Sequence, residues 1–171
     1  MIIKIDATEQ ARKSAKAAHE LFTINAILVH VIGALGLIKL LNTSLNIAVI
    51  SAISISVVII IYTYFRTKKA KKNDTYLVYL HWQLSFNRYK ILIIAYGFYF
   101  LVTSLTALGL VIGDSGVSSM DGTSITDSIL TLLGIVPLFF AVLVSAVLGS
   151  GSMFNAGRSE IEQKFSQKYP Q

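Results

Sequence analysis

The chain has 171 residues, 54% of them hydrophobic and 14% charged, with a formal net charge of +6. An ordinary soluble domain carries roughly 25% charged residues, and a chain this short cannot enclose so much apolar surface in a water-soluble core. Cysteine is absent, which excludes disulfides, thiol catalysis and thiolate metal sites.

The basic residues flank four apolar runs, 21–41, 45–65, 91–112 and 128–148. Such flanking suits orientation and anionic lipid headgroups, so membrane lipids are expected as partners and nucleic acid is not. Each run is close to the ~20 residues that span a bilayer as a helix. The expected fold is all-α: a single transmembrane domain over 1–171, forming an integral membrane four-helix bundle. An interfacial helix over 75–86 precedes the third span, short cytoplasmic helices stand at the ends, and a cytoplasmic tail covers 149–171.

Near the start, Asp6 and Glu9 have the spacing of a capping box. Ala7, Ala11, Ala15, Ala18 and Phe22 then fall on one helical stripe. Alanine offers little area to lipid but permits close helix contact, so this stripe predicts a cytoplasmic extension of span 1 docked on another helix. Span 1 exceeds the ~7–15 residues of a signal-peptide core and follows about twenty helix-like residues, so it reads as a retained anchor.

The turn 42–44 is short enough to make spans 1 and 2 a hairpin. Span 2 ends in Tyr62, Tyr64 and Phe65 before Arg66, an aromatic-then-basic order that marks the cytoplasmic interface. Lys4, Arg12, Lys13 and Lys16 precede span 1; Arg66, Lys68, Lys69, Lys71, Lys72, Arg88 and Lys90 lie between spans 2 and 3; Arg158, Lys164 and Lys168 follow span 4. The connections 42–44 and 113–127 hold no Lys or Arg, and only Lys39 falls on that side. Positive-inside counting therefore puts both termini in the cytoplasm, most naturally of a bacterial cytoplasmic (inner) membrane.

The segment 74–90 is strongly aromatic. Asp74 is placed to cap it, and Tyr76, Tyr79, Trp82, Phe86, Arg88 and Lys90 are the candidate interfacial anchors. A straight helix from residue 75 to 112 would measure about 57 Å at ~1.5 Å per residue, against a hydrocarbon core of ~30 Å. A charged head at the bilayer centre costs at least ~2.5 kcal/mol, so lipid must begin beyond Arg88 and Lys90. Hence 75–86 is expected along the interface, with a bend near 85–87.

The connection 113–127 carries Asp114, Asp121 and Asp127, whose spacing is not that of a calcium loop; Asp127 suits the first turn of span 4. Gly149, Ser150, Gly151 and Ser152 read as a flexible break. Ser159 with Glu162 then predicts a cap for a short helix bearing Ile161, Phe165 and Tyr169, closed by Pro170.

Few residues are placed to carry chemistry. His30 lies mid-span, level with Ser54 and Ser56 of span 2 and Thr103 of span 3, near the helix-interrupting Pro137 of span 4. His30, Ser54, Thr103 and Pro137 form a candidate buried polar layer, either a midplane proton or substrate site or a hydrogen-bonded cross-link. No Asp or Glu in the spans partners His30. His19 and His30 stand about 16 Å apart along one helix and His81 belongs to the interface, so no metal site and no cofactor is expected. Gly109 and Gly113, and Ala141, Ser145 and Gly149, are candidate helix-packing positions. No Ser or Thr stands in a recognisable nucleophile arrangement, so no enzyme is expected. The pattern favours a small multi-pass protein acting on other membrane subunits or by self-association, as an accessory or assembly subunit or an immunity-type protein. The alternative is a small oligomeric transporter or channel using the layer around His30.

Overall fold

The computed structural model describes residues 1–107 and 125–170, with side chains outside 107 and 125–128. A short strand, β1 (Ile2–Lys4), leads into α1 (Glu9–Ile24), which continues as a π-helical segment (Asn25–Gly33) and then α2 (Ala34–Leu40). There follow α3 (Leu45–Asn73), α4 (Tyr76–Ala107), α5 (Ile125–Gly157), a second strand β2 (Glu160–Glu162) and α6 (Gln163–Lys168). Four of these stretches, Glu9–Leu40, Leu45–Asn73, Tyr76–Thr106 and Ile129–Gly157, are long and apolar enough to cross a membrane. The chain is thus an all-α, multi-pass membrane protein by length and composition. Two compact units make it up, Met1–Lys90 with Val144–Gln171, and Ile91–Leu143.

In the first unit, helix α3 shows the membrane pattern most clearly. Its buried positions include Ala48, Ala52, Ser56, Ile60, Thr63, Thr67 and Ala70, spaced three or four apart and mostly small. Many of its large residues, among them Ile47, Ile50, Ile55, Val58 and Ile61, are exposed, while Val49, Ile53 and Ile60 are buried. A soluble helix does the reverse; lipid removes the penalty on outward apolar residues, and small inward ones let helix backbones approach. Ala34, Ala48 and Ala52 form one such contact, flanked by Val29, Leu37 and Ile38. The turn between α2 and α3 is made by Asn42 at φ 48°, a left-handed conformation that Asn tolerates, and Ser44 caps α3 through a bond from Ile47 N–H.

Outside the apolar runs 21–41, 45–65, 91–112 and 128–148, the alanine stripe of α1 is buried. Ala11, Ala15 and Ala18 share a core with Ala70, Leu77, Val78, Leu80, Trp82, Ala156 and Ile161. Helix α1 begins later than the Asp6–Glu9 spacing suggests. Thr8 is the cap, accepting from Ala11 N–H at 3.2 Å, while Glu9 is drawn forward to Lys13 at 2.8 Å. Asp74 closes the C-terminal end of α3, and its carboxylate meets Arg66 at 2.6 Å.

Three expectations for the ends of the chain need correction. Helix α4 is one 32-residue element with no interruption at 85–87, and Tyr79 and Trp82 are each only 5% exposed, packed against protein. The Gly149–Ser152 run is no break, because α5 continues through it to Gly157. A β-carbon on Gly149 would collide with Thr23 Oγ1 and lie 3.1 Å from Phe22 Cδ1, so this glycine sits where α5 meets α1. Residues 160–162 are strand, not helix: Ile2, Ile3 and Lys4 pair antiparallel with Glu162, Ile161 and Glu160. Ser159, at φ 61°, turns the chain into this strand instead of capping a helix.

In the second unit, α4 buries Leu92, Ala95, Tyr96, Tyr99 and Val102, and α5 buries Leu130, Leu138 and Val142. Gly134 faces Tyr99, whose ring would lie 3.3 Å from an added β-carbon.

Two glycines only two residues apart, and so on different faces of α5, give a test of the α1–α5 contact. Gly149→Ala is expected to lower unfolding stability in mixed micelles by about 1–3 kcal/mol through overpacking. Gly151→Ala, with nothing within 4 Å of the new carbon, should hold or slightly raise it, since Ala is the better helix former. Equal tolerance of both changes would remove the contact.

Candidate functional site

Polar side chains buried between helices are costly in this setting, so each one present marks either a structural lock or a working group. Among the described residues of the first unit, Thr67 Oγ1 of α3 lies 3.2 Å from the Trp82 carbonyl of α4, and three further places stand out.

The first joins α1 to α4. His19 Nε2 lies 2.9 Å from His81 Nδ1, with the rings perpendicular and their centroids 5.1 Å apart. A contact of that length is a hydrogen bond only when one nitrogen carries a proton and the other a lone pair. The pair therefore cannot hold both rings fully protonated. One turn along α4, Ser85 Oγ donates to the carbonyl of Ala18 at 2.9 Å. Two adjacent bonds thus fix α1 against α4.

The second is Asn25, wholly buried at the start of the π-helical segment. Its Nδ2 donates to Ser56 Oγ at 2.7 Å, tying span 1 to span 2. The buried Tyr89 hydroxyl lies near the Asn25 and Thr63 side chains. Tyr89 itself packs edge-on to Phe22, centroids 4.8 Å apart. Five residues after Asn25, His30 Nδ1 donates to the Asn25 carbonyl at 2.8 Å; a carbonyl only accepts, so that nitrogen must carry the proton.

The third is Arg88, whose Nη1 donates to the Leu148 carbonyl and to Ser152 Oγ. These bonds join α4 to α5, so the Gly-Ser run supplies one of the acceptors.

The expected midplane layer is distributed differently. Ser54 is exposed and bonds back to the Ile50 carbonyl of its own helix; Ser56, two residues on, takes the inward position. Thr103 is half-buried and bonds back to the Tyr99 and Phe100 carbonyls, and Pro137 is exposed within α5. Among the candidate anchors, Tyr76 Oη donates to the Ser166 and Tyr169 carbonyls and Phe86 stacks obliquely on Tyr64 at 5.4 Å. Trp82 lies against Tyr62 and the Arg66 guanidinium, the latter 5.0 Å from its ring centroid. Only Lys90 is freely exposed. Of the helix-packing candidates, Ser145 is buried and Ala141 half-buried, Gly149 packs as described, and Gly109 and Gly113 lie outside the described residues.

Sequence reasoning missed Asn25 and the meeting of His19 with His81. A buried amide in an apolar run was a readable signal; a pairing across 62 positions of chain was not. Among the described residues no group of three or more His, Cys, Asp or Glu is placed to hold a metal ion.

Comparison of the chain with protein-family models, with curated proteins and with solved structures finds no match in any of the three.

The inward and outward serines should respond differently. Ser56→Ala is expected to cost between about 0.6 and 1.7 kcal/mol of stability, the range for interhelical bonds in membranes. Ser54→Ala should stay within about 0.5 kcal/mol of wild type. Reversal of that order in a denaturation series would exchange the two faces of α3.

Proposed function

We propose that this protein works through protein–protein contact. It would serve as an accessory or assembly subunit of a membrane complex, or as an immunity-type protein that neutralises a membrane-active toxin. The observation that carries the proposal is how the buried polar groups are used. His19 with His81, Asn25 with Ser56, Ser85 with Ala18, and Arg88 with Leu148 and Ser152 all bond one helix of the chain to another. Groups committed to holding the scaffold are not available to pass an ion or a substrate. In this reading the chain is not an enzyme and holds no cofactor.

A small oligomeric transporter or channel is the second reading. It draws on one feature, the nine-residue π-helical segment Asn25–Gly33 that contains His30, since π-helical turns recur at working sites. It gains nothing from Ser54, Thr103 or Pro137, none of which is turned toward a partner on another helix. The full chain, purified in mild detergent, is expected to carry a membrane partner in fixed ratio and to give no ion or proton flux in liposomes. A homo-oligomer that conducts would decide for the second reading.

The proposed location is a bacterial cytoplasmic membrane with both termini in the cytoplasm. The pairing of Ile2–Lys4 with Glu160–Glu162 supports one part of it, a shared side for the two ends. Cysteine is absent, so introduced thiols label without background. Ser118→Cys should react with an impermeant reagent on intact cells. Lys71→Cys and Gln167→Cys should react only after lysis, and labelling of Lys71→Cys from outside would invert the topology.

A further inference from the structure

Between the end of α3 and the start of α4 runs a groove lined by Tyr64, Lys68, Lys71, Tyr79, Gln83 and Tyr169, among others. Lys68 and Lys71 stand one turn apart, each over an aromatic ring: Lys68 Nζ is 4.4 Å from the Tyr64 centroid and Lys71 Nζ 5.8 Å from that of Tyr79. Neither lysine meets a carboxylate in any ion pair among the described residues; the nearby Asp74 is taken by Arg66. The far wall is held in place, since Tyr76 Oη bonds the Ser166 and Tyr169 carbonyls and Asn87 Nδ2 donates to Tyr169 Oη at 2.8 Å. Three separate stretches of chain therefore build one basic, aromatic-walled groove and leave its charge uncompensated.

Depth identifies the occupant. The apolar run of α3 ends at Phe65, so Lys68 and Lys71 lie about 4.5 and 9 Å further along the helix. The headgroup layer on each side of a bilayer is roughly 5–7 Å thick, and lysine reaches several ångströms back along its own stem. Tyr64 and Phe65, beside the groove mouth, are 38% and 61% exposed, as expected of an aromatic belt facing lipid. We infer that this groove binds the phosphate of an anionic phospholipid, with the two lysines as its cationic partners. The inference needs the protein to be in a membrane but is independent of whether it acts through a protein partner.

Native mass spectrometry of the full chain in non-ionic detergent, titrated with phosphatidylglycerol or phosphatidylcholine, tests it. Phosphatidylglycerol should be retained and phosphatidylcholine lost. Lys68→Gln with Lys71→Gln should weaken retention about thirtyfold, from about fivefold for each lysine near a charged headgroup. Lys69→Gln with Lys72→Gln makes the same charge change at positions outside the lining and should do markedly less. Equal losses from the two pairs would mean bulk attraction and overturn the site. Displacement of the lipid by equimolar inorganic phosphate would make it a free-phosphate site, and displacement by an equimolar acidic peptide a protein-docking groove; either overturns the lipid assignment. In the unaltered chain, a photoactivatable phosphatidylglycerol should attach within residues 64–86 or at Tyr169, and attachment only elsewhere would also overturn it.

Discussion

A large apolar side chain gains nothing by leaving lipid for the face of another helix, because both surroundings are equally dry. What a helix pair can gain is contact at short range, and short range requires small residues. That constraint explains the stripe of Ala, Ser and Thr on α3 and the outward-facing Ile and Val on its other sides. It explains why Gly149 faces Phe22 and Thr23 and why Gly134 faces Tyr99. The bond from Asn25 to Ser56 depends on the same closeness, since two short side chains reach 2.7 Å only when their backbones are near.

Outside the apolar stretches water returns and the ordinary hydrophobic drive with it. There the small stripe of α1 receives large residues. Ala11, Ala15 and Ala18 form a shelf, and Leu77, Val78, Leu80 and Trp82 contribute to the core built on it. Ile161 enters this core from β2, with Phe165 and Tyr169 packed on its margin. The His19–His81 and Ser85–Ala18 bonds sit along the same α1–α4 contact, where they fix register that packing of alanines alone would leave loose. Small-residue stripes thus serve two regimes, close approach in lipid on α3 and burial of bulk outside it on α1.

The apolar stretches were legible because hydropathy over ~20 residues depends on no partner. The alanine stripe was legible because its 3.6-residue period is local. The packing of Trp82 against protein was not legible for a physical reason: a row of aromatic residues looks the same whether its neighbour is a headgroup layer or a protein core. Gly149 and Ser152 were misread because small residues that weaken a lone helix are also those that let two helices touch. Three-residue strands carry too little period to register, and their pairing joins opposite ends of the chain. Of the candidate site, His30 was visible as an ionisable group in an apolar run. Its bond to the Asn25 carbonyl depends on a π-helical turn that no spacing rule anticipates.

The strand pairing of Ile2–Lys4 with Glu160–Glu162 also sets an order of assembly. At roughly 5–20 residues per second, synthesis of the roughly 160 residues between the partners takes on the order of 8–30 s. Throughout that interval β1 has been made and its mate has not, while the membrane helices are being inserted. The short sheet is therefore a latch that shuts after the last span has entered the bilayer, and a chain halted before that point would present Ile2–Lys4 as an open edge to whatever strand came near.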